Sequence, residues 1–167
     1  DSLRDPLRKR MEQMGLRCNC IRCREYGFRM RDKQPVGEPY LARLDYEASD
    51  GKEIFLSFKD EYNTLYGLLR LRIQDRPVSY LKEKTGKAAL IRELHVFGPE
   101  LPLNRREESA AQHRGFGKAL LREAERLSRE EFGREWTAVV SGVGAREYYR
   151  AEGYSLQGAF MVKNLAK

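Results

Sequence analysis

The sequence predicts an α+β protein built around one mixed, mostly antiparallel sheet. Three observations carry that expectation. From residue 40 onward, apolar residues recur at every second position, the period of a half-buried strand. The later half reads strand, helix, strand, helix, strand. The stretch "AQHRGFGKALLREAERL", residues 111–127, sets Phe116, Leu120, Ala124 and Leu127 on one helix face behind two glycines.

The elements follow in order. Residues 3–14 read as a short helix with Leu3, Leu7, Met11 and Met14 on one side and Gly15 as its stop. A cysteine cluster and a polar stretch lead to "KQPVGEP", which marks a boundary between a basic linker segment (1–36) and the main domain (37–167). Tyr40, Ala42, Leu44 and Tyr46 alternate, "SDGK" turns, and Ile54, Leu56 and Phe58 alternate again, giving a hairpin. "TLYGLLRLRIQD" is a third strand and "AALIRELHVFG" a fourth. A loop over 99–110 precedes the glycine-led helix. "EWTAVVSG" is a fifth strand, "AREYYRAEG" a short helix closed by Gly153, and "YSLQGAFMVK" a sixth strand.

The composition bounds the function. A chain of 167 residues can bury one core and carry a small extra piece. With 34% charged and 41% hydrophobic residues it is expected to be soluble and cytoplasmic. No run approaches the roughly 18 apolar residues of a membrane span, and no signal peptide is apparent. The chain begins at Asp1 rather than Met, as expected of a piece of a longer protein. The net charge of +7 is uneven: residues 1–34 hold ten Lys/Arg against five acids. Such a block suits a phosphate backbone, and equally a solvated face that keeps the protein soluble. Cys18, Cys20 and Cys23 crowd into "CNCIRC". An odd, tight set is a poor disulfide framework and fits thiolates gathered on a metal, zinc first, with ordinary reduced thiols as the other reading.

Gly115 and Gly117 leave room for a ligand to approach the backbone, and bare N–H groups at a helix start form an anion site. Arg114 and Lys118 add positive charge. The spacing is neither a Rossmann fingerprint nor a Walker loop.

The pattern Gln112-x-x-Gly115-x-Gly117 after a strand, with the later "AREYYRAEGY", resembles the acetyl-CoA signature of the GCN5-related N-acetyltransferase family over about residues 39–163. Four blocks, "RCNCIRCRE", "ALIRELHVFG", "QHRGFGKALLREAER" and "VVSGVGAREYYRAEGY", further resemble, in order, the C-terminal part of Elongator catalytic subunits of the archaeal or bacterial single-subunit type. This resemblance implies a sheet whose fourth and fifth strands splay. The gap would take the pantetheine arm, and the loop amides would hold the CoA pyrophosphate. It places Leu94, His95 and Val96 along the acetyl end. Gln112, His113, Arg114, Gly115, Phe116, Gly117 and Lys118 fall at the phosphates, and Ser141 and Gly142 across the gap. It makes Tyr148 or Tyr149 the general acid that protonates the leaving thiolate; the sequence leaves open which. Glu93 and His95 share a strand face, and either could orient a water; His95 could as well be a core histidine or a metal ligand. The resemblance also implies a metal-binding linker at the cysteines.

The function implied is acetyl-CoA binding and hydrolysis within an enzyme that builds a carboxymethyl-type group on C5 of the tRNA wobble uridine. The expected partners are tRNA and a radical S-adenosylmethionine domain of the same full-length protein. S-adenosylmethionine and an iron–sulfur cluster would belong to that domain, whose cysteine spacing this chain lacks. A homodimer stays open, and no membrane is expected. Two rivals remain: a lysine (histone) N-acetyltransferase with Glu93 as base, and a zinc-bearing RNA-binding module whose acetyltransferase fold is vestigial.

Overall fold

The computed structural model describes residues 3–75, 88–98 and 115–166. Three short helices come first: α1 (Arg4–Gln13), α2 (Ile21–Arg24) and α3 (Tyr26–Arg31). Strands β1 (Tyr40–Ala48), β2 (Gly51–Lys59), β3 (Leu65–Ile73) and β4 (Ala88–Val96) follow. Helix α4 (Phe116–Arg126) runs on into a π-helical turn, Leu127–Glu131. Then come β5 (Trp136–Val140), a 3-10 turn (Val143–Ala145), α5 (Arg146–Ala151), β6 (Ser155–Gln157) and β7 (Phe160–Asn164). The seven strands form one sheet in the order β1-β2-β3-β4-β5-β7-β6. Among the described strands, only β4 and β5 pair in parallel.

The α+β plan agrees with the sequence expectation, with three corrections. The expected sixth strand is two strands, because Gly158 (φ +60°) folds the chain back so that Leu156 pairs with Met161; a left-handed residue suits a tight turn. The cysteine cluster and the polar stretch after it, for which no element was specified, carry α2, which includes Cys23, and α3. And the apolar side expected of α1 is not buried: Leu3, Leu7 and Met14 are exposed, and no residue of α1 is buried.

One sheet face carries the core. Ile54 and Leu56 of β2, Leu69 and Leu71 of β3, Ile91 of β4 and Met161 of β7 meet Leu120, Leu121 and Ala124 of α4 and Leu127 of the π-helical turn, with Tyr149 of α5 beside them. Each such aliphatic side chain contributes about 2 kcal/mol by leaving water. The expected α4 stripe is therefore real, and Leu121 widens it. Phe116 also turns inward, its ring 4.6 Å from Phe58 and 6.1 Å from Tyr66. The far end of α4 is held by a polar relay. Thr137 Oγ1 donates to Tyr154 Oη (3.1 Å), which donates to Glu125 (2.9 Å), and Lys163 pairs with Glu125 at 2.8 Å.

Asp60, buried just after β2, ties the start of the main domain at Gly37 to the sheet. Its carboxylate accepts from the amides of Gly37 (2.7 Å) and Thr64 (2.8 Å) and from the hydroxyl of Tyr66 (3.0 Å). Burial works to raise this carboxyl, and those donors outweigh it, holding it below the usual carboxylate range. Next to this hub, Arg24 and Arg29 donate to the Asn63 and Tyr62 carbonyls at 3.0 and 3.2 Å, and the Tyr26 ring lies 5.0 Å from Tyr66. Two of the cations assigned from sequence to a solvated or phosphate-facing block are thus occupied in fastening α2 and α3 down.

A candidate acetyl-CoA cleft

The β3–β4 ladder matches Arg70 with Glu93 but Leu71 with Ile91, so Arg92 is an extra residue without a partner. This bulge reverses the parity of β4. Before it, Ala89 and Ile91 face the α4 side; after it, Leu94 packs on that core. The pairing of β4 with β5 ends at the same place, with Ile91 opposite Val139. Beyond it the two strands part, which is the splay expected from the sequence.

A cleft of about 250 Å³ opens in that wedge, lined by Leu94, Val96, Gly117, Lys118, Ala145, Tyr148 and Tyr149. Its parts come from the end of β4, the first turn of α4, and α5 with the turn before it. Gly117 and Lys118 bring the first turn of α4, the positive end of the helix dipole, to the cleft. A Cβ on Gly117 would lie 3.0 Å from Tyr148 Oη and 3.3 Å from Val96 Cγ2, so glycine lets α4 come close to the tyrosine. Gly115 is different. It sits in the right-handed region at φ −92°, and a Cβ there would meet nothing within 4 Å.

The two tyrosines diverge by about 100° around α5, with rings 5.2 Å apart and nearly perpendicular. Tyr149 is buried in the core beside Tyr154. Tyr148 is half-buried, yet its hydroxyl oxygen is enclosed and has no hydrogen-bond partner among the described residues. Burial first, then the charge of Glu152, pushes the Tyr148 hydroxyl up to about 12, so it holds its proton at neutral pH. Burial raises Tyr149 as well.

The remaining expected residues fall in several places. Lys118 lines the cleft, but its ammonium pairs with Glu152 at 2.7 Å. Glu152, just after α5, is a cleft-side acid that the sequence did not single out, and Ala145 was missed too; an acid before a helix-closing glycine carries no distinguishing signal. Ser141 and Gly142 follow β5 and are outside the residues that line the cleft, the Ser141 hydroxyl donating to the Gly142 carbonyl at 3.0 Å. Glu93 and His95 are not brought to the cleft. Parity sends both side chains to the opposite face, where Glu93 meets Arg70 at 3.5 Å and His95 stacks 4.5 Å from Phe97. Gln112, His113 and Arg114 lie outside the described residues.

At the other end of the chain, the sulfurs of Cys18, Cys20 and Cys23 all lie within 4.8 Å of one another. The Cys23 amide donates to the Cys20 sulfur and lowers that thiol against the opposing effect of burial; burial and the two neighbouring thiols push Cys23 up to about 11. Three soft donors at this spacing suit a tetrahedral thiophilic ion such as zinc. The described residues supply no fourth ligand to the group.

No family model matches the chain. It is 57% identical over 166 residues to a tRNA uridine(34) acetyltransferase of Dehalococcoides mccartyi, covering 99% of this chain and 36% of that protein. It is 50% identical over 162 residues to a protein of the same description from Methanocaldococcus infernus, covering 94% and 30%. Elongator complex protein 3 of Danio rerio is 46% identical over 166 residues, covering 98% and 30%. A solved structure of the M. infernus Elp3 with an N-terminal deletion superposes with a TM-score of 0.83 at 47% identity, covering 96% of this chain and 38% of that one. The chain spans about a third of the length of the curated relatives it matches. With 46–57% identity over nearly its whole length and a shared fold, the chain corresponds to one segment of the proteins of the Elongator catalytic-subunit family.

Proposed function

We propose that this chain is the acetyl-CoA-binding and thioester-hydrolysing part of a cytoplasmic enzyme that modifies C5 of the wobble uridine of tRNA. The observation that supports it most is the wedge between β4 and β5, where the first turn of α4 and an enclosed tyrosine hydroxyl converge. The pyrophosphate would sit on the start of α4, drawn by the N–H groups and the helix dipole. Gln112, His113, Arg114 and Lys118 would flank it. The pantetheine arm would run along the backbone of Leu94–Val96, which β5 no longer pairs, as an added strand does on a free edge.

The acetyl carbonyl carbon then lies between Tyr148 and the mouth of the wedge. A water adds to that carbon and the C–S bond breaks; Tyr148 gives its proton to the departing thiolate and regains one from the added water, whose other proton leaves to solvent, so the products are acetate, CoA thiol and a proton. A phenol pushed up to about 12 stays protonated at working pH, so its proton is available to the thiolate. Tyr149, which packs in the core, positions the helix. The water-activating base is not Glu93 or His95, whose side chains face away.

In the full protein, a radical S-adenosylmethionine domain would supply the attachment of the acetyl methyl to uridine. The basic segment before residue 37, fixed by a zinc ion on Cys18, Cys20 and Cys23, would extend the tRNA surface. Acetyl-CoA turnover read as free thiol, with and without tRNA, tests this. Hydrolysis that rises with tRNA supports it; turnover indifferent to tRNA and stimulated by a lysine peptide replaces it with an ordinary acetyltransferase.

A further inference from the structure

The face of the sheet opposite the cleft holds a buried charge that nothing described so far uses. Glu53, near the start of β2, is 1% exposed. One of its oxygens, Oε1, accepts from Arg72 of β3 at 2.9 Å and from Arg92 of β4 at 2.6 Å. The other, Oε2, is enclosed and has no partner among the described residues. Arg72 is fully engaged, since it also donates to the Ala48 and Ser49 carbonyls and to Gln74. Arg92 is the bulge residue, and its guanidinium spans β3 to reach β2.

We propose that the Glu53–Arg92 pair is a positioning clamp that holds the β4 bulge and, through it, the acetyl-CoA cleft; this deepens the function proposed above and rests on it. Burying a carboxylate is an expensive way to join three strands, and apolar side chains would do it at least as well. A fixed charge pair does supply something they do not, which is register. Only with the extra residue at position 92 do Leu94 and Val96 turn to the cleft. Slipping the bulge out by one residue would instead present Glu93 and His95, with a carboxylate where the thioester should lie. The clamp holds the one residue at which the two registers differ. The same residue sits where β4 leaves β5, so the clamp also sets where the wedge begins.

Arg92 is a positioning residue, remote from the bound ligand, and it is partly exposed, so its loss leaves the core intact. The test uses Arg92→Ala and Arg92→Lys in the whole chain, with Arg43→Ala as calibration. Arg43 is a doubly paired cation on β1, bound to Asp45 and Glu131 at 2.7 and 2.6 Å, away from β4. Acetyl-CoA affinity is read by calorimetry, unfolding by heat, and exchange of the amides at 93–96 by mass spectrometry. Arg92→Ala should weaken acetyl-CoA binding about tenfold, the size of a typical coupling between a remote group and a binding site. It should also speed exchange at 93–96, and Arg92→Lys should restore much of both. Arg43→Ala should move the unfolding temperature without moving affinity. Should Arg92→Ala fail to fold, Arg92→Gln carries the same readouts. Wild-type affinity and exchange in a folded Arg92 variant would overturn the clamp, and so would an equal affinity loss in Arg43→Ala. Wild-type protein that binds no acetyl-CoA overturns the functional proposal instead.

Discussion

Gly115→Ala separates what the protein needs from what the ligand needs. In the free chain the described residues give this glycine no structural duty. Its φ of −92° and ψ of −25° are ordinary for alanine, and the added Cβ would meet nothing within 4 Å. Removing a glycine from the unfolded ensemble should stabilise the protein by about 0.4–1 kcal/mol. The proposed pyrophosphate, by contrast, fills the space that the methyl would enter. Losing one amide–phosphate hydrogen bond of the charged kind costs about 1.5–3 kcal/mol, which is about ten- to a hundredfold in Kd. Stability and affinity should therefore move in opposite directions. Thermal unfolding without ligand and calorimetric titration with acetyl-CoA give the two numbers on one sample. Gly117→Ala is the contrast, since its Cβ would press Tyr148 Oη at 3.0 Å and should harm both. A Gly115→Ala protein that binds acetyl-CoA like wild type would refute the phosphate cradle at the start of α4.

Tyr148→Phe should slow acetyl-CoA hydrolysis by about 10²–10⁴-fold, the usual weight of a general acid, with little change in Kd. Tyr149→Phe should keep most of the rate, and the reverse ranking would move the acid to Tyr149. Because the Tyr148 hydroxyl is pushed up to about 12, the rate should show no loss from its ionisation below about pH 10. Its contribution to stability, complete below the unfolded tyrosine value, should be lost only as pH rises toward 12. Asp60→Ala removes the acceptor of two amides and a hydroxyl and should cost about 3 kcal/mol in urea unfolding. With its carboxyl held below the usual range, Asp60 stabilises above the unfolded aspartate value, and that share should fade as pH drops through the lowered one. Purified protein should hold about one zinc by elemental analysis; Cys20→Ser should lose it, and a full complement of metal in that variant would remove the cysteines from the site.

Most strands and both helices around the cleft were legible in the sequence, since period-two alternation and the α4 stripe are set by burial on one face. What the sequence could not show is parity. Alternation along "RELHV" correctly puts Glu93 and His95 together, yet nothing in five residues says whether they or Leu94 and Val96 face the ligand. That is decided by Arg92, and Arg92 is bulged in a ladder with β3 and held by Glu53, residues far off in sequence. The same holds for Lys118. Its place in the first turn of α4 reads as a phosphate cation, but a partner 34 positions later occupies it. Glycine spacing and a tyrosine pair are local patterns, so they found the cleft. The chemistry inside the cleft depends on which of two alternating faces points inward, and that choice is made by contacts between strands. A catalytic role read from a strand is therefore only as secure as the count of residues back to the nearest bulge.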